Sequence, residues 1–200
     1  MSNPITAAQV KELRDRTGAG MMDCKQALTE TGGDMEQAVE LLRVRLGDKA
    51  LKLGGRETSE GTIQSYIHAT GKVGVLVQVE CNTDFVARND DFVSFAKDVA
   101  LHVAAANPLY LTREEVPAED VEREKRVFEG QLGAIPEQAR EKALEGKLRK
   151  WYEEVVLLEQ PHVNGDKHDG KTIEQIRADL SATTGENVVI SRFERFAIGA

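Results

Sequence analysis

The chain has 200 residues, of which 40% are hydrophobic and 30% are charged, a composition typical of a globular protein with its own core. Its formal net charge of −8 argues against a nucleic-acid ligand, because affinity for a phosphate backbone comes largely from lysine and arginine. No stretch approaches the roughly 18 apolar residues of a membrane span, and the N-terminus has no signal or transit pattern, so we expect a cytoplasmic protein that binds neither nucleic acid nor membrane.

The first part of the chain predicts three short helices. Thr6 and Gln9 form a capping-box pattern at the start of the first helix, and paired glycines separate the helices from one another. The third helix is expected to end near Gly47. We therefore predict a compact docking module over residues 1–53, similar to a ubiquitin-associated domain, followed by a linker over residues 54–61.

Two methionines mark a candidate contact surface on this module. Met21 and Met22 follow a glycine loop, and Lys25 comes one helical turn later. Methionine side chains adapt to irregular grooves, which suits them to bind another protein. The alternative is that one of the two completes the core of this small module.

The next segment predicts a strand hairpin that runs into a helix. Residues 62–67 and 72–79 alternate as two strands, and a helix follows at about residues 89–105. The segment from Thr83 to Val86 therefore lies at a strand-to-helix corner, where an aromatic ring and a carboxylate on a rigid base suit insertion into a partner. The alternative is that Phe85 folds back as a hydrophobic plug over the end of the sheet.

The remainder of the chain predicts further helices and a last strand. Charged helices are expected over residues 118–131 and 136–145, and the last strand over residues 187–196. The simplest arrangement is a small three-stranded antiparallel sheet covered by helices. We thus predict an α+β fold in which residues 62–200 form the larger domain.

The sequence has few features of an enzyme or a cofactor-binding protein. It contains no G-x-x-x-x-G-K-[ST] loop and no G-x-G-x-x-G after a strand, so we expect no nucleotide or other cofactor bound by the chain itself. Cys24 and Cys81 are too few for a disulfide framework and are expected to be reduced thiols. His162 and His168 fall in a polar loop, which is compatible with a surface metal site, although we favour a plain solvated loop.

Two motifs resemble the signatures of the bacterial translation elongation factor Ts family. The first is Leu13-Arg14-Asp15-Arg16-Thr17-Gly18-Ala19-Gly20-Met21-Met22-Asp23-Cys24-Lys25-Gln26-Ala27-Leu28, and the second is Glu80-Cys81-Asn82-Thr83-Asp84-Phe85-Val86-Ala87-Arg88. Three further segments are similar to this family, namely Leu157-Leu158-Glu159-Gln160-Pro161, Gly185-Glu186-Asn187-Val188-Val189 and Arg192-Phe193-Glu194-Arg195-Phe196. The resemblance covers essentially the whole chain.

The resemblance implies a guanine-nucleotide exchange factor without covalent chemistry of its own, and therefore not an enzyme. Its implied partner is elongation factor Tu, a translational GTPase from which it promotes GDP release. The N-terminal module would dock on the nucleotide-binding domain of that GTPase, while Asp84 and Phe85 push between helices near its magnesium site. The partner-binding residues implied in this way are Leu13, Arg14, Met21, Met22, Lys25, Thr83, Asp84, Phe85 and Val86.

The resemblance also implies an oligomeric state. Short members of this family, similar in length to this chain, pair two chains across the sheet. We therefore expect a homodimer. Its interface is expected to include the apolar residues Val188, Ile190, Phe193 and Phe196 of the last strand.

Two other functions remain open from the residues alone. One is a non-enzymatic adaptor that binds another protein through the ubiquitin-associated-like module, which accounts for residues 1–53 but not for Thr83 to Val86. The other is a hydrolase that uses Cys24 or Cys81 as its nucleophile, which would need a histidine within reach.

Overall fold

The computed structural model describes residues 5–17, 19–133 and 136–199, apart from the side chains of residues 15, 50 and 51. The helices are α1 (Ala7–Thr17), α2 (Met21–Glu30), α3 (Met35–Leu53), α4 (Asp84–Ala87), α5 (Asp90–Ala106), α6 (Ala118–Gln131), α7 (Glu137–Val155), α8 (Gly165–His168) and α9 (Ile173–Thr184). The strands are β1 (Glu60–Ile67), β2 (Val73–Cys81) and β3 (Val189–Ala197), and short 3-10 helices span Arg113–Glu115 and Leu157–Glu159. The strands form one antiparallel sheet in the order β1-β2-β3, which confirms the predicted α+β fold.

The described residues fold as two compact units. The first contains the described residues up to Thr62, together with Gln78–Phe95 and Gln175–Ser191, and the second contains Ile63–Val77, Ala96–Glu174 and the described residues from Arg192 onwards. The predicted domains are continuous in sequence, with boundaries at residues 53 and 61, whereas each unit combines several segments. The predicted division stays a prediction. Within the described part of the chain, none of the helices is both long enough and apolar enough to span a bilayer.

The first three helices share one small core in the first unit. Its buried members are Val10, Leu13, Ala19, Cys24, Ala27, Leu28, Ala38 and Leu42. The predicted capping box is confirmed, because the Thr6 backbone N donates to Gln9 Oε1 at 3.0 Å and the Gln9 backbone N donates to Thr6 Oγ1 at 3.3 Å. The likeness of this module to a ubiquitin-associated domain stays a prediction.

The third helix is longer than the sequence indicated. It continues through Gly47 and ends at Leu53, whose side chain is buried. A glycine inside a helix costs only about 1 kcal/mol relative to alanine, and burial of Leu46 and Leu53 along one face outweighs that cost.

Strand and helix periodicities match the buried faces of β2 and α5. In β2 every second side chain is buried, namely Val75, Val77, Val79 and Cys81. In α5 the buried apolar side chains recur at helical spacing, namely Phe92, Phe95, Ala96, Val99, Ala100 and Val103. The predicted strand and helix on either side of the corner are therefore confirmed.

A cluster of histidines packs against α5 in the second unit. The His162 ring stacks on His102 with centroids 5.3 Å apart, and the His168 ring meets His162 edge-on at 4.3 Å. The expected solvated loop is therefore wrong for these side chains, because His162 is buried and His168 is partly buried. Among the described residues, no group of three or more His, Cys, Asp or Glu side chains is arranged to hold a metal ion.

Two hydrogen bonds fix the tautomer of the buried His102. The Val163 backbone N donates to His102 Nδ1 at 3.1 Å, so the ring proton lies on Nε2, which donates to Gln160 Oε1 at 2.9 Å. Burial lowers the pKa of His102 from its ordinary 6.5 to about 4. Burial also lowers the pKa of His168, whose Nε2 lies 3.4 Å from Asp98 Oδ2.

We predict that His102 makes the stability of the protein depend on pH. The unfolded chain takes up the proton at a higher pH than the folded chain, so the contribution is present above about pH 6.5 and is lost as the pH falls towards about 4. Between about pH 7 and pH 5 the loss from this group is about 2 kcal/mol. Urea unfolding should show that His102→Gln removes this part of the pH dependence.

The exposed His68 provides the matched control for this experiment. The variant His68→Gln should unfold with the same pH dependence as the wild-type chain, because it leaves the contacts of His102 with His162 and Gln160 intact. If His102→Gln and the wild-type chain lose stability equally between pH 7 and pH 5, the assigned role of His102 is wrong.

Candidate functional site

The corner after β2 presents Phe85 to solvent. Thr83 is extended, with φ −129° and ψ 154°, and its Oγ1 accepts from the Val86 backbone N at the start of the one-turn helix α4. The Phe85 side chain on this turn is 85% exposed, more than any other large hydrophobic side chain among the described residues. The plug interpretation therefore fails, since the ring does not fold back onto the sheet.

The other residues of the corner differ in exposure. Thr83 is exposed, whereas Asp84 and Val86 are half-buried. Asp84 Oδ2 lies 3.2 Å from Nη2 of the exposed Arg88, four residues along the chain. An exposed ion pair of this kind contributes at most about 1 kcal/mol, so the Asp84 carboxylate can change partners at little cost.

The corner is fixed from the loop that precedes β3. Glu186 Oε2 accepts from the backbone N atoms of Asn82 and Thr83, each at 3.0 Å, and Glu186 Oε1 accepts from Thr83 Oγ1 at 2.5 Å. These three hydrogen bonds place the first residues of the corner relative to the end of β2. The Phe85 ring thus stands on a backbone whose conformation is set by hydrogen bonds rather than by packing of the ring itself.

The predicted docking residues of the N-terminal module fall into two groups. Met21 is 45% exposed and Met22 is 74% exposed, so neither completes the core of the module. Arg14 and Lys25 are exposed as well. Leu13, in contrast, is fully buried in the three-helix core, so its side chain offers no surface to a partner and supports the site only by packing.

The two cysteines lack the properties of a catalytic nucleophile. Both are buried free thiols, and Cys81 Sγ donates to the Thr83 carbonyl O at 3.3 Å. Burial raises the pKa of Cys81 to about 11 and also raises that of Cys24. Because the thiolate is the reactive form, the hydrolase interpretation has no support at either residue.

A shallow cleft beside α7 also lacks a catalytic arrangement. It has a volume of about 420 Å³ and is lined by Arg113, Lys142, Glu145, Gly146, Leu148, Arg149 and Tyr152. The Arg113 guanidinium lies over the Tyr152 ring at 4.4 Å and also pairs with Glu159. No serine, cysteine or histidine is among these lining residues, so the cleft does not join a nucleophile to a base.

The predicted dimer residues of β3 differ in their exposure. Val188 and Ile190 are buried within the chain, so these two side chains offer no surface to a second copy. Phe193 is half-buried and shares its face of β3 with Arg195, which donates to the Ala104 carbonyl O in α5 at 3.4 Å. Phe196, on the opposite face, is 66% exposed.

An apolar surface lies on the exposed face of the sheet in the second unit. Its large exposed side chains on the strands are Ile63, Ile67, Leu76 and Phe196, and Ile198 follows directly after β3. We call these five residues the outer sheet surface. Sequence reasoning found only Phe196. The signal for Ile63 and Ile67 is their spacing of four residues in β1, which places both on one face of a strand.

Comparisons with known proteins identify the family to which this chain belongs. A family model described as "Elongation factor TS" matches residues 6–169, a range that contains the exposed methionines and the corner. Elongation factor Ts of Geobacter sulfurreducens is 53% identical over 197 residues, which is 98% of this chain and 90% of the relative. Elongation factor Ts of Syntrophobacter fumaroxidans is 48% identical over 202 residues, covering 100% of both chains. The chain therefore belongs to the elongation factor Ts family of translation elongation factors.

Proposed function

We propose that this chain is a guanine-nucleotide exchange factor that promotes GDP release from elongation factor Tu. The observation that carries the proposal is Phe85, which is 85% exposed on a corner held by Glu186. A single aromatic ring on a turn that hydrogen bonds fix is suited to fill a pocket of a partner. Its exposure is explained if the ring is buried between helices of the GTPase during exchange.

Phe85 needs a second contact to act. Burying one phenylalanine provides about 1.5–3 kcal/mol, roughly a tenfold to hundredfold change in an equilibrium. The exposed Met21 and Met22, with Lys25 and Arg14 at the rim, provide the second contact as a docking surface on the nucleotide-binding domain. Docking holds the chain on the GTPase, so that insertion of the ring becomes an intramolecular step with a high effective concentration.

The proposed mechanism has no covalent step, and the chain is therefore not an enzyme. A ring wedged between two helices selects a packing of the GTPase that is incompatible with the geometry holding Mg²⁺ and the phosphates. Among the described residues the Asp84 carboxylate pairs with the exposed Arg88, so it can compete for the positive charges near the magnesium site. This activity belongs in the cytoplasm, where translation occurs.

The alternative is a non-enzymatic adaptor that uses the same exposed methionines to bind another protein. That proposal accounts for Met21 and Met22 through a ubiquitin-associated-like module. It leaves the exposure of Phe85 without a role, so we prefer the exchange factor.

We also propose that two copies of the chain pair through the outer sheet surface. All five of its side chains are large, apolar and exposed in the single chain. Exposed apolar side chains on a small sheet are stabilised when a partner covers them, and the exposed Arg192 and Glu194 on the same face of β3 provide polar groups beside them. A second copy covers this surface through a two-fold interface in which the same residues meet from both sides.

We predict that Phe85→Ala abolishes most of the exchange activity while the free energy of unfolding stays near that of the wild-type chain. The exposed ring contributes little to the core, so truncation should cost less than about 0.5 kcal/mol in stability. The measurements are release of a fluorescent GDP analogue from elongation factor Tu and urea unfolding of the variant.

Two further variants serve as controls. Leu109→Ala, which truncates another exposed apolar side chain, should retain wild-type exchange. Phe92→Ala, which truncates a fully buried ring, should lose about 3–5 kcal/mol of stability. A large loss of stability in Phe85→Ala, or wild-type exchange by that variant, would contradict the proposal.

For the dimer, we predict that Phe196→Glu shifts the wild-type dimer to a monomer of 22.0 kDa, because the substitution buries two like charges across a two-fold axis. Sedimentation at several protein concentrations measures this. Val127→Glu, at an exposed apolar position of α6, should remain dimeric. A monomeric wild-type chain would show that the outer sheet surface is not a dimer interface.

A further inference from the structure

The loop between α9 and β3 contributes two residues to the base of the corner. Glu186 accepts three hydrogen bonds from Asn82 and Thr83, all within 3.0 Å. Asn187 is buried and donates its backbone N to Asn82 Oδ1 at 2.8 Å. We call these four residues, Asn82, Thr83, Glu186 and Asn187, the corner cluster.

Glu186 provides hydrogen-bond acceptors for the backbone N atoms that follow the end of β2. β2 ends at Cys81, so the backbone N atoms of Asn82 and Thr83 would otherwise need other partners. One carboxylate oxygen accepts from both of them. Hydrogen bonds to a charged acceptor are stronger than those to a neutral one, so the backbone entering α4 is firmly fixed.

Glu186 also orients the hydroxyl that caps α4. Thr83 Oγ1 donates its one hydrogen to Glu186 Oε1 at 2.5 Å. The lone pairs of the same oxygen are then free to accept from the Val86 backbone N at 3.5 Å. The turn that bears Phe85 is thus oriented through Thr83 by the Glu186 carboxylate.

The asparagines of the corner cluster bind the chain that leaves the three-helix module. Asn82 Nδ2 donates to the Glu57 carbonyl O at 2.5 Å, and Asn187 Nδ2 donates to the Arg56 carbonyl O at 2.8 Å. All of these residues belong to the first unit. The segment after α3, predicted to be a linker, is therefore hydrogen-bonded to residues of the corner cluster.

We propose that Glu186 is a positioning residue for nucleotide exchange, which holds the Thr83 to Phe85 turn in the conformation that inserts into the GTPase. The inference rests on the proposed function. Phe85 has almost no packing contacts that could direct its ring, so its direction is set by the backbone beneath it. A ring that is already oriented loses less conformational freedom on insertion, which favours the inserted state.

The test separates insertion from docking by kinetics. Release of a fluorescent GDP analogue from elongation factor Tu is measured at rising concentrations of the full-length chain. Glu186→Ala should lower the maximal release rate roughly tenfold to a hundredfold, the change expected from losing charge-assisted hydrogen bonds. The concentration for half-maximal release should change less than threefold, because the docking methionines are untouched.

Glu186→Gln is the conservative companion variant. It keeps the shape and one oxygen acceptor but replaces the other oxygen with a donor, so its maximal rate should lie between those of Glu186→Ala and the wild-type chain. If Glu186→Ala does not fold, Glu186→Gln decides alone, and a wild-type maximal rate overturns the proposal. Glu129→Ala, which removes an exposed carboxylate from α6, should leave the rate unchanged.

A double variant identifies the residue through which Glu186 acts. In a Phe85→Ala background, adding Glu186→Ala should lower exchange by less than twofold, although its effect on unfolding should be the same in both backgrounds. A full additional loss there would overturn the positioning role. If Phe85→Ala alone keeps wild-type exchange, the proposed function fails. If Phe85→Ala loses exchange while Glu186→Ala keeps it, only the present inference fails.

Discussion

Where a β-strand ends, the next backbone N–H groups have no acceptor on a neighbouring strand. In this chain the Glu186 carboxylate accepts hydrogen bonds from the two N–H groups that follow β2. These hydrogen bonds fix the direction of the backbone at the corner. They let a one-turn helix leave the sheet with Phe85 in solvent instead of over the core. The exposed ring therefore has a fixed position without packing of its own, which is the property that an inserting side chain needs.

The exposed methionines of α2 and the exposed Phe85 ring have different roles in binding. The methionines of α2 are flexible and adapt to the partner, whereas the Phe85 turn is fixed and imposes its shape. Flexible contacts supply affinity for any state of the GTPase, but only the fixed ring distinguishes one state from another. Exchange requires that difference, because a ligand with equal affinity for both states shifts neither.

Sequence patterns predicted the parts of the fold that depend on residues close together in the chain. The Thr6 and Gln9 capping box, the alternation in β2 and the corner that carries Phe85 could all be predicted from residues close in sequence. Long-range contacts decided the rest. Glu186 reaches a turn about a hundred residues away, His162 is buried by a histidine of α5, and Ile190 is buried while Phe196, on the same face of β3, is exposed. Neither these two contacts nor this difference in burial can be predicted from the neighbouring residues in the sequence.

The most direct test of the exchange-factor account is calorimetry of complex formation between this chain and elongation factor Tu at rising concentrations of GDP with Mg²⁺. The coupling between two ligands is reciprocal, so if the chain weakens GDP binding by some factor, GDP must weaken binding of the chain by the same factor. We predict the tightest complex with the nucleotide-free GTPase and an affinity that falls as GDP is added. An affinity that does not change with GDP would contradict it.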